Sequence, residues 1–199
     1  MKISPKVFRQ NGAISQKQYE AHIKLYGGYI DKYNEITEDL AENAQGKVIL
    51  EKANSVYSQY RGLKKGETFA LDSIILHEEY FKNLCTEASQ PLPATLALIG
   101  RSYGTQESFL RDFAACCTAA RGWCISCFEQ RTGQLKNILC DAHDQGSIAL
   151  SYPILVCDMY EHAYFVDYIT DKAAYIKSFI SFIDWAIVEK RVKMLNVPK

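Results

Sequence analysis

The stretch Ile154-Leu155-Val156-Cys157-Asp158-Met159-Tyr160-Glu161-His162-Ala163-Tyr164-Phe165-Val166-Asp167-Tyr168 decides how this chain is read. It opens as an apolar run behind Pro153, which predicts a buried strand. The run ends in a carboxylate, Asp158, and a histidine, His162, follows four residues later. Four residues is about one helical turn, so a chain that turns helical after Asp158 can aim both side chains at one point. A carboxylate and an imidazole on a rigid strand end make half of a transition-metal site. The spacing alone is common, and its neighbourhood gives it weight.

Composition sets the limits. The chain has 199 residues, enough for a sizeable core in one large or two small domains, and 48% are hydrophobic. Its 23 basic and 23 acidic residues cancel, so bulk charge favours neither nucleic acid nor a membrane surface. The first residues lack the apolar core of an export signal, and no apolar run is long enough to cross a bilayer. A cytoplasmic location with reduced thiols is expected for the seven cysteines. Trp123-Cys124-Ile125-Ser126-Cys127 is similar to a W-C-x-x-C redox motif. Its surroundings read as a strand, however, and alternation would put Cys124 and Cys127 on opposite faces as core thiols.

Upstream, residues 1–14 read as an extended arm. Ser15 is a candidate cap for a long helix from about Gln16 to Asn43, with Gly27-Gly28 in its interior as the mark of close packing or a kink. A break is expected over Asn43–Gly46, a second helix over Lys47–Arg61, a loop over Gly62–Gly66 and a third helix over about Phe69–Leu84. Ser89 to Ala94, with Pro91 and Pro93, is the clearest linker. Helices from Leu96 and Thr105 follow. Strands are expected at Trp123–Gln130 and Gln134–Cys140 around an Arg131-Thr132-Gly133 turn. Lys172–Met194 reads as helical.

The string Asp158-Met159-Tyr160-Glu161-His162-Ala163-Tyr164 resembles the D-x-W/Y-E-H-A-Y signature of the iron/manganese superoxide dismutases. The resemblance extends to Tyr103-Gly104-Thr105 through Phe113-Ala114, to Gly122-Trp123, and to both early helices. It implies an α+β fold: an N-terminal antiparallel helical hairpin domain over residues 1–88, then a C-terminal α/β domain over 95–199 with a three-stranded antiparallel sheet. It implies four metal ligands, His22, His77, Asp158 and His162, holding one Fe or Mn ion per subunit. Carboxylate and imidazole donors suit either metal. It further implies Tyr29 as the substrate-gateway tyrosine and Trp123 as a pocket wall. His143 is implied beside the metal, with Gln145 the competing candidate for that place. Glu161 is expected to reach His162 of a second copy across a homodimer interface.

Two departures from the family pattern stand out. The tyrosine follows the first ligand by seven residues here rather than eight, and Tyr26 takes the place of a second histidine. That histidine usually crosses the dimer interface, so packing of Tyr26 with Phe165 is expected there instead. The implied activity is conversion of superoxide to oxygen and hydrogen peroxide, without nucleic-acid or membrane partners. The alternatives are a catalytically silent interaction protein of the same fold, or a thiol oxidoreductase using Cys124 and Cys127.

Overall fold

The computed structural model describes residues 2–46 and 48–195. Helix α1 (Gln16–Gly46) and helix α3 (Gln59–Lys82) pack together as the expected hairpin, with one turn, α2 (Val48–Glu51), between them. Ser15 Oγ accepts from Gln18 N at 3.2 Å, so the cap of α1 is where the sequence puts it. The expected break at Asn43–Gly46 is absent, because α1 runs through it. Helix α1 runs unbroken through Gly27 and Gly28, and nothing lies within 4 Å of a Cβ placed on either.

The expected helix over Lys47–Arg61 is corrected; Lys47 itself lies outside the described residues. Residues 52–58 are irregular because Asn54 and Ser58 offer the backbone local partners. Asn54 Oδ1 accepts from Val56 N and Tyr57 N, at 3.1 and 2.9 Å. Ser58 Oγ then accepts from Arg61 N and starts α3. Such side chains compete with helix inside an element and favour it at the N-cap. The expected Gly62–Gly66 loop is therefore helical.

The second half begins with α4 (Pro93–Tyr103), with proline in the first turn, and α5 (Gln106–Ala119), capped by Thr105 Oγ on Ser108 N at 3.0 Å. Strands β1 (Trp123–Glu129), β2 (Gln134–Cys140) and β3 (Ser151–Asp158) form one antiparallel sheet in the order β2-β1-β3. Glu129 accepts from the backbone of Arg131 and Thr132, and Gly133 takes φ 65° to close the hairpin. The β1–β2 register is unbroken, while β3 slips by one residue opposite Ser126 and Cys127, beside Pro153. Proline is tolerated on such an edge strand at a bulge. After a 3-10 turn at Glu161–Ala163 come α6 (Phe165–Tyr168), α7 (Lys172–Ser181) and α8 (Trp185–Met194). The stretch expected to be helical, Lys172–Met194, forms two helices, divided where Asp184 accepts from Ala186 N and Ile187 N.

Among the contacts that join the two halves is a buried amide. Asn83, just after α3, accepts from Val156 N at 2.9 Å and donates to Val156 O at 3.2 Å. Val156 is two residues before Asp158, and Asn83 is six after His77. This clamp fixes the end of the ligand-bearing helix against the ligand-bearing strand.

Cys124 and Cys127 follow the strand alternation. Cys124 points to Phe113 O on α5, while Cys127 neighbours Ser151 and Lys136. Both are buried, and burial raises both thiols above their ordinary range. A desolvated thiol is a poor nucleophile. Among the described residues, no helix is long and apolar enough to cross a membrane.

Candidate metal centre

Four side chains from four separate elements meet at the seam between the halves. His22 comes from α1, His77 from α3, Asp158 from the end of β3, and His162 from the 3-10 turn that follows. Asp158 Oδ1 accepts from Tyr160 N at 2.9 Å, which turns the chain at the strand end and brings His162 back. The other carboxylate oxygen, Oδ2, faces three imidazole Nε2 atoms: His22 and His162 at 3.1 Å each and His77 at 3.6 Å. The four donor atoms lie within 4.8 Å of one another. His22, His77 and Asp158 are buried, and His162 leaves 29% of its side chain exposed.

The protons at His77 test whether this cluster fits a cation. His77 Nδ1 lies 2.7 Å from the carbonyl oxygen of Ser73, one turn earlier on α3. A carbonyl only accepts, so Nδ1 carries the proton. Burial, then the neighbouring His22, pushes the His77 pKa down to about 3, so the ring is neutral. Its Nε2 is therefore a bare lone pair, buried and with no hydrogen-bond partner. It points at a carboxylate. Burial would raise Asp158, but the imidazoles of His162 and His22 outweigh it and hold the acid below its usual range. Two acceptors thus face each other in a dry interior with no proton between them. A cation between them turns that repulsion into coordination. Three neutral imidazoles and one carboxylate, without thiolate, suit Fe and Mn.

A second layer surrounds the cluster. Trp123 Nε1 donates to His143 Nδ1 at 2.9 Å, and His143 Nε2 lies 3.0 Å from the Tyr29 hydroxyl. Burial pushes the His143 pKa down to about 4, so the ring is neutral; because Nδ1 accepts, the proton sits on Nε2 and is donated to the Tyr29 oxygen. His143 is 3% exposed, whereas Gln145 is exposed and makes a backbone turn to Ala142.

Tyr29 reaches the cluster through the seven-residue spacing. At about 100° per residue, positions seven apart fall within roughly 20° of each other on a regular helix. Since α1 is unbroken, His22 and Tyr29 share one face, and the Tyr29 ring lies 5.5 Å from that of His77. Tyr26, one turn after His22, has its ring 6.3 Å from that of His77. It is fully buried in its own chain, bonded to Glu78 and to Lys6 N, so the expected packing across an interface with Phe165 is corrected. Glu161 is exposed beside His162 on the rim.

Sequence reading missed several groups here. Tyr160 stacks on His162 at 5.1 Å and meets His143 at 5.0 Å. Phe69 lies 4.6 Å from His143, and Tyr175 donates to Asp158 O at 2.8 Å. Ser73 was also missed, although its place one turn before His77 was a readable signal.

Residues 91–191 match the family described as iron/manganese superoxide dismutases, C-terminal domain. The chain is 38% identical over 180 residues to a protein of Aquifex aeolicus (strain VF5) named as an iron superoxide dismutase, covering 89% of this chain and 84% of that one. It is 34% identical over 176 residues to one so named from Cupriavidus metallidurans, covering 86% and 85%. A manganese superoxide dismutase of Haloferax volcanii is 29% identical over 165 residues, covering 82% and 79%. With the ligand-bearing seam between a helical hairpin and a three-stranded sheet, these likenesses place the chain: it belongs to the iron/manganese superoxide dismutase family.

Proposed function

We propose that this chain is a superoxide dismutase that holds one Fe or Mn ion through His22, His77 and His162 Nε2 and Asp158 Oδ2. The observation that carries this reading is the buried His77 lone pair set against the Asp158 carboxylate, an arrangement that makes sense only around a cation. The chemistry supplied there by a bound iron or manganese ion is one-electron transfer, which oxidises one superoxide to oxygen and reduces the next to hydrogen peroxide. The chain's own residues do the rest. The Ser73 carbonyl fixes the His77 tautomer. Trp123 fixes that of His143, so a proton is held at His143 Nε2 and another at the Tyr29 hydroxyl. Peroxide formation consumes two protons, and these two positions border the cluster. Trp123, Tyr160 and Phe69 wall the site and limit water.

We read residues 1–88 and 95–199 as two domains that each supply two of the four ligands, with the segment around Pro91 between them. A homodimer accompanies this reading. The exposed edge of His162, with Glu161 beside it, leaves that ligand open to a second copy, and Phe165, Val166 and Ile169 expose apolar surface next to it.

The experiment is elemental analysis of the purified chain with a dismutation assay. About one Fe or Mn per chain with activity is expected, and His162→Ala should lose metal and activity together. Metal-free, inactive wild-type protein after loading with either ion would sink the proposal.

A further inference from the structure

We propose that Gln18 is a positioning residue, a buried amide that reaches from the first turn of α1 to the His162 carbonyl and holds that ligand against the cluster. This rests on the metal-site reading above and goes beyond it. Gln18 is completely buried. Its Nε2 donates to His162 O at 2.6 Å, and its Oε1 accepts from Val166 N at 3.0 Å. Gln18 lies one turn before His22 on α1, so a single side chain links the helix of the first ligand to the turn of the last.

The local sequence explains why this amide is available. Ser15-Gln16-Lys17-Gln18 has the S-x-x-Q spacing of a capping box, in which the glutamine side chain folds back to accept from the N–H of the capping residue. Half of that box forms. Ser15 Oγ accepts from Gln18 N at 3.2 Å, but Ser15 N donates to Asp167 Oδ2 at 2.6 Å. With a carboxylate on that donor, the Gln18 side chain turns instead to the segment that carries Asp167. His162 depends on the contact. The 3-10 turn Glu161–Ala163 is three residues long and lies beyond the end of β3. Among the described residues, no other hydrogen bond ties the His162 main chain to a separate element. Of the four ligand side chains, that of His162 alone reaches solvent. Without the amide, it is free to swing outward from its place 3.1 Å from Asp158 Oδ2.

Gln18→Met keeps the length of the side chain and removes both bonds. In that variant α1 stays docked on the segment through the Ser15–Asp167 pair and through Tyr168, whose hydroxyl donates to Ala13 O at 2.6 Å. The measurement is the rate at which excess chelator removes iron from the loaded enzyme. Gln18→Met should weaken iron retention about 10- to 100-fold, read as faster release, the effect of losing a group that orients a ligand. The ferric electron paramagnetic resonance spectrum should change shape with it, because it reports how the ligands are disposed about the ion. Tyr168→Phe cuts another bond on the same seam and should alter neither.

Unchanged release or an unchanged spectrum in Gln18→Met, or equal acceleration in Tyr168→Phe, would overturn the proposal. If Gln18→Met does not fold, Gln18→Asn, one methylene too short to make both bonds, is held to the same outcomes. The iron content of the wild-type chain, measured first, separates this from failure of the metal reading. If no iron is taken up, the question passes to the 13C-labelled His162 Cε1 resonance of the metal-free protein. That resonance should move in Gln18→Met and stay in place in Tyr168→Phe, and a fixed resonance in the former would count equally against the role.

Discussion

At the scale of single residues, the site is a problem of where protons sit. His77 Nδ1 and His143 Nε2 carry them, and His77 Nε2 and His143 Nδ1 do not, each for a reason visible in the partner opposite. Keeping these rings neutral has a consequence for pH. Burial pushes His143 down to about 4 and His77 to about 3, while a histidine in an unfolded chain titrates near 6.5. Between those values the unfolded chain binds protons that the folded chain refuses. Stability is thus fully present above about pH 6.5 and is lost as pH falls toward the folded values. For His143 alone the loss is of order 2 kcal/mol by pH 4. Metal-free protein followed by thermal melts should show its midpoint falling over this range; a flat or rising midpoint would contradict the assignment.

At the scale of elements, α1 and α3 must stay straight enough to aim their ligands at one oxygen. Two glycines in α3 illustrate different reasons for the same residue. A Cβ on Gly66 would meet the tip of the Ile36 side chain, Cδ1, at 2.9 Å, so a side chain there would have to displace it where α3 faces α1. Gly62 is exposed, with nothing within 4 Å, and its N–H bonds to Ser58 O at 3.1 Å in the first turns of the helix. It has no packing reason to be glycine. Gly62→Ala is expected to stabilise by roughly 0.5–1 kcal/mol and raise the melting midpoint by about 1–4 °C. A fall on the same measurement would mean that this stretch is not helical in solution.

At the scale of the whole molecule, the cluster lies on a seam between halves that the Asn83–Val156 clamp holds in register. Its outer edge is His162, and the surface beyond carries Phe165, Val166 and Ile169, which are 47%, 43% and 61% exposed. Apolar side chains gathered beside a partly exposed ligand suit a two-fold contact, in which each patch meets its own copy. Phe165→Asp should shift sedimentation of the native protein from dimer to monomer, with an unchanged far-ultraviolet spectrum. Wild-type protein that sediments as a monomer would refute the dimer directly.

The sequence by itself determined the pieces. Ser15 and Thr105 mark helix starts, the β1–β2 hairpin ends within one residue of its expected bounds, and the strand end at Asp158 with its following histidine is where the motif puts it. Caps, turns and periodicity are local chemistry, written in neighbouring residues. The start of α3 was misread because the competing partners, Asn54 and Ser58, act through a turn whose shape depends on where their side chains point. Only the tertiary structure decided that Tyr29 reaches the cluster despite its seven-residue spacing, that His143 rather than Gln145 sits beside it, and that Ser73 bonds to His77. Those outcomes depend on the angle and distance between α1, α3 and the sheet. Inter-element packing sets these, because burying the apolar faces of separate elements fixes how they meet, and no single stretch of chain carries that information.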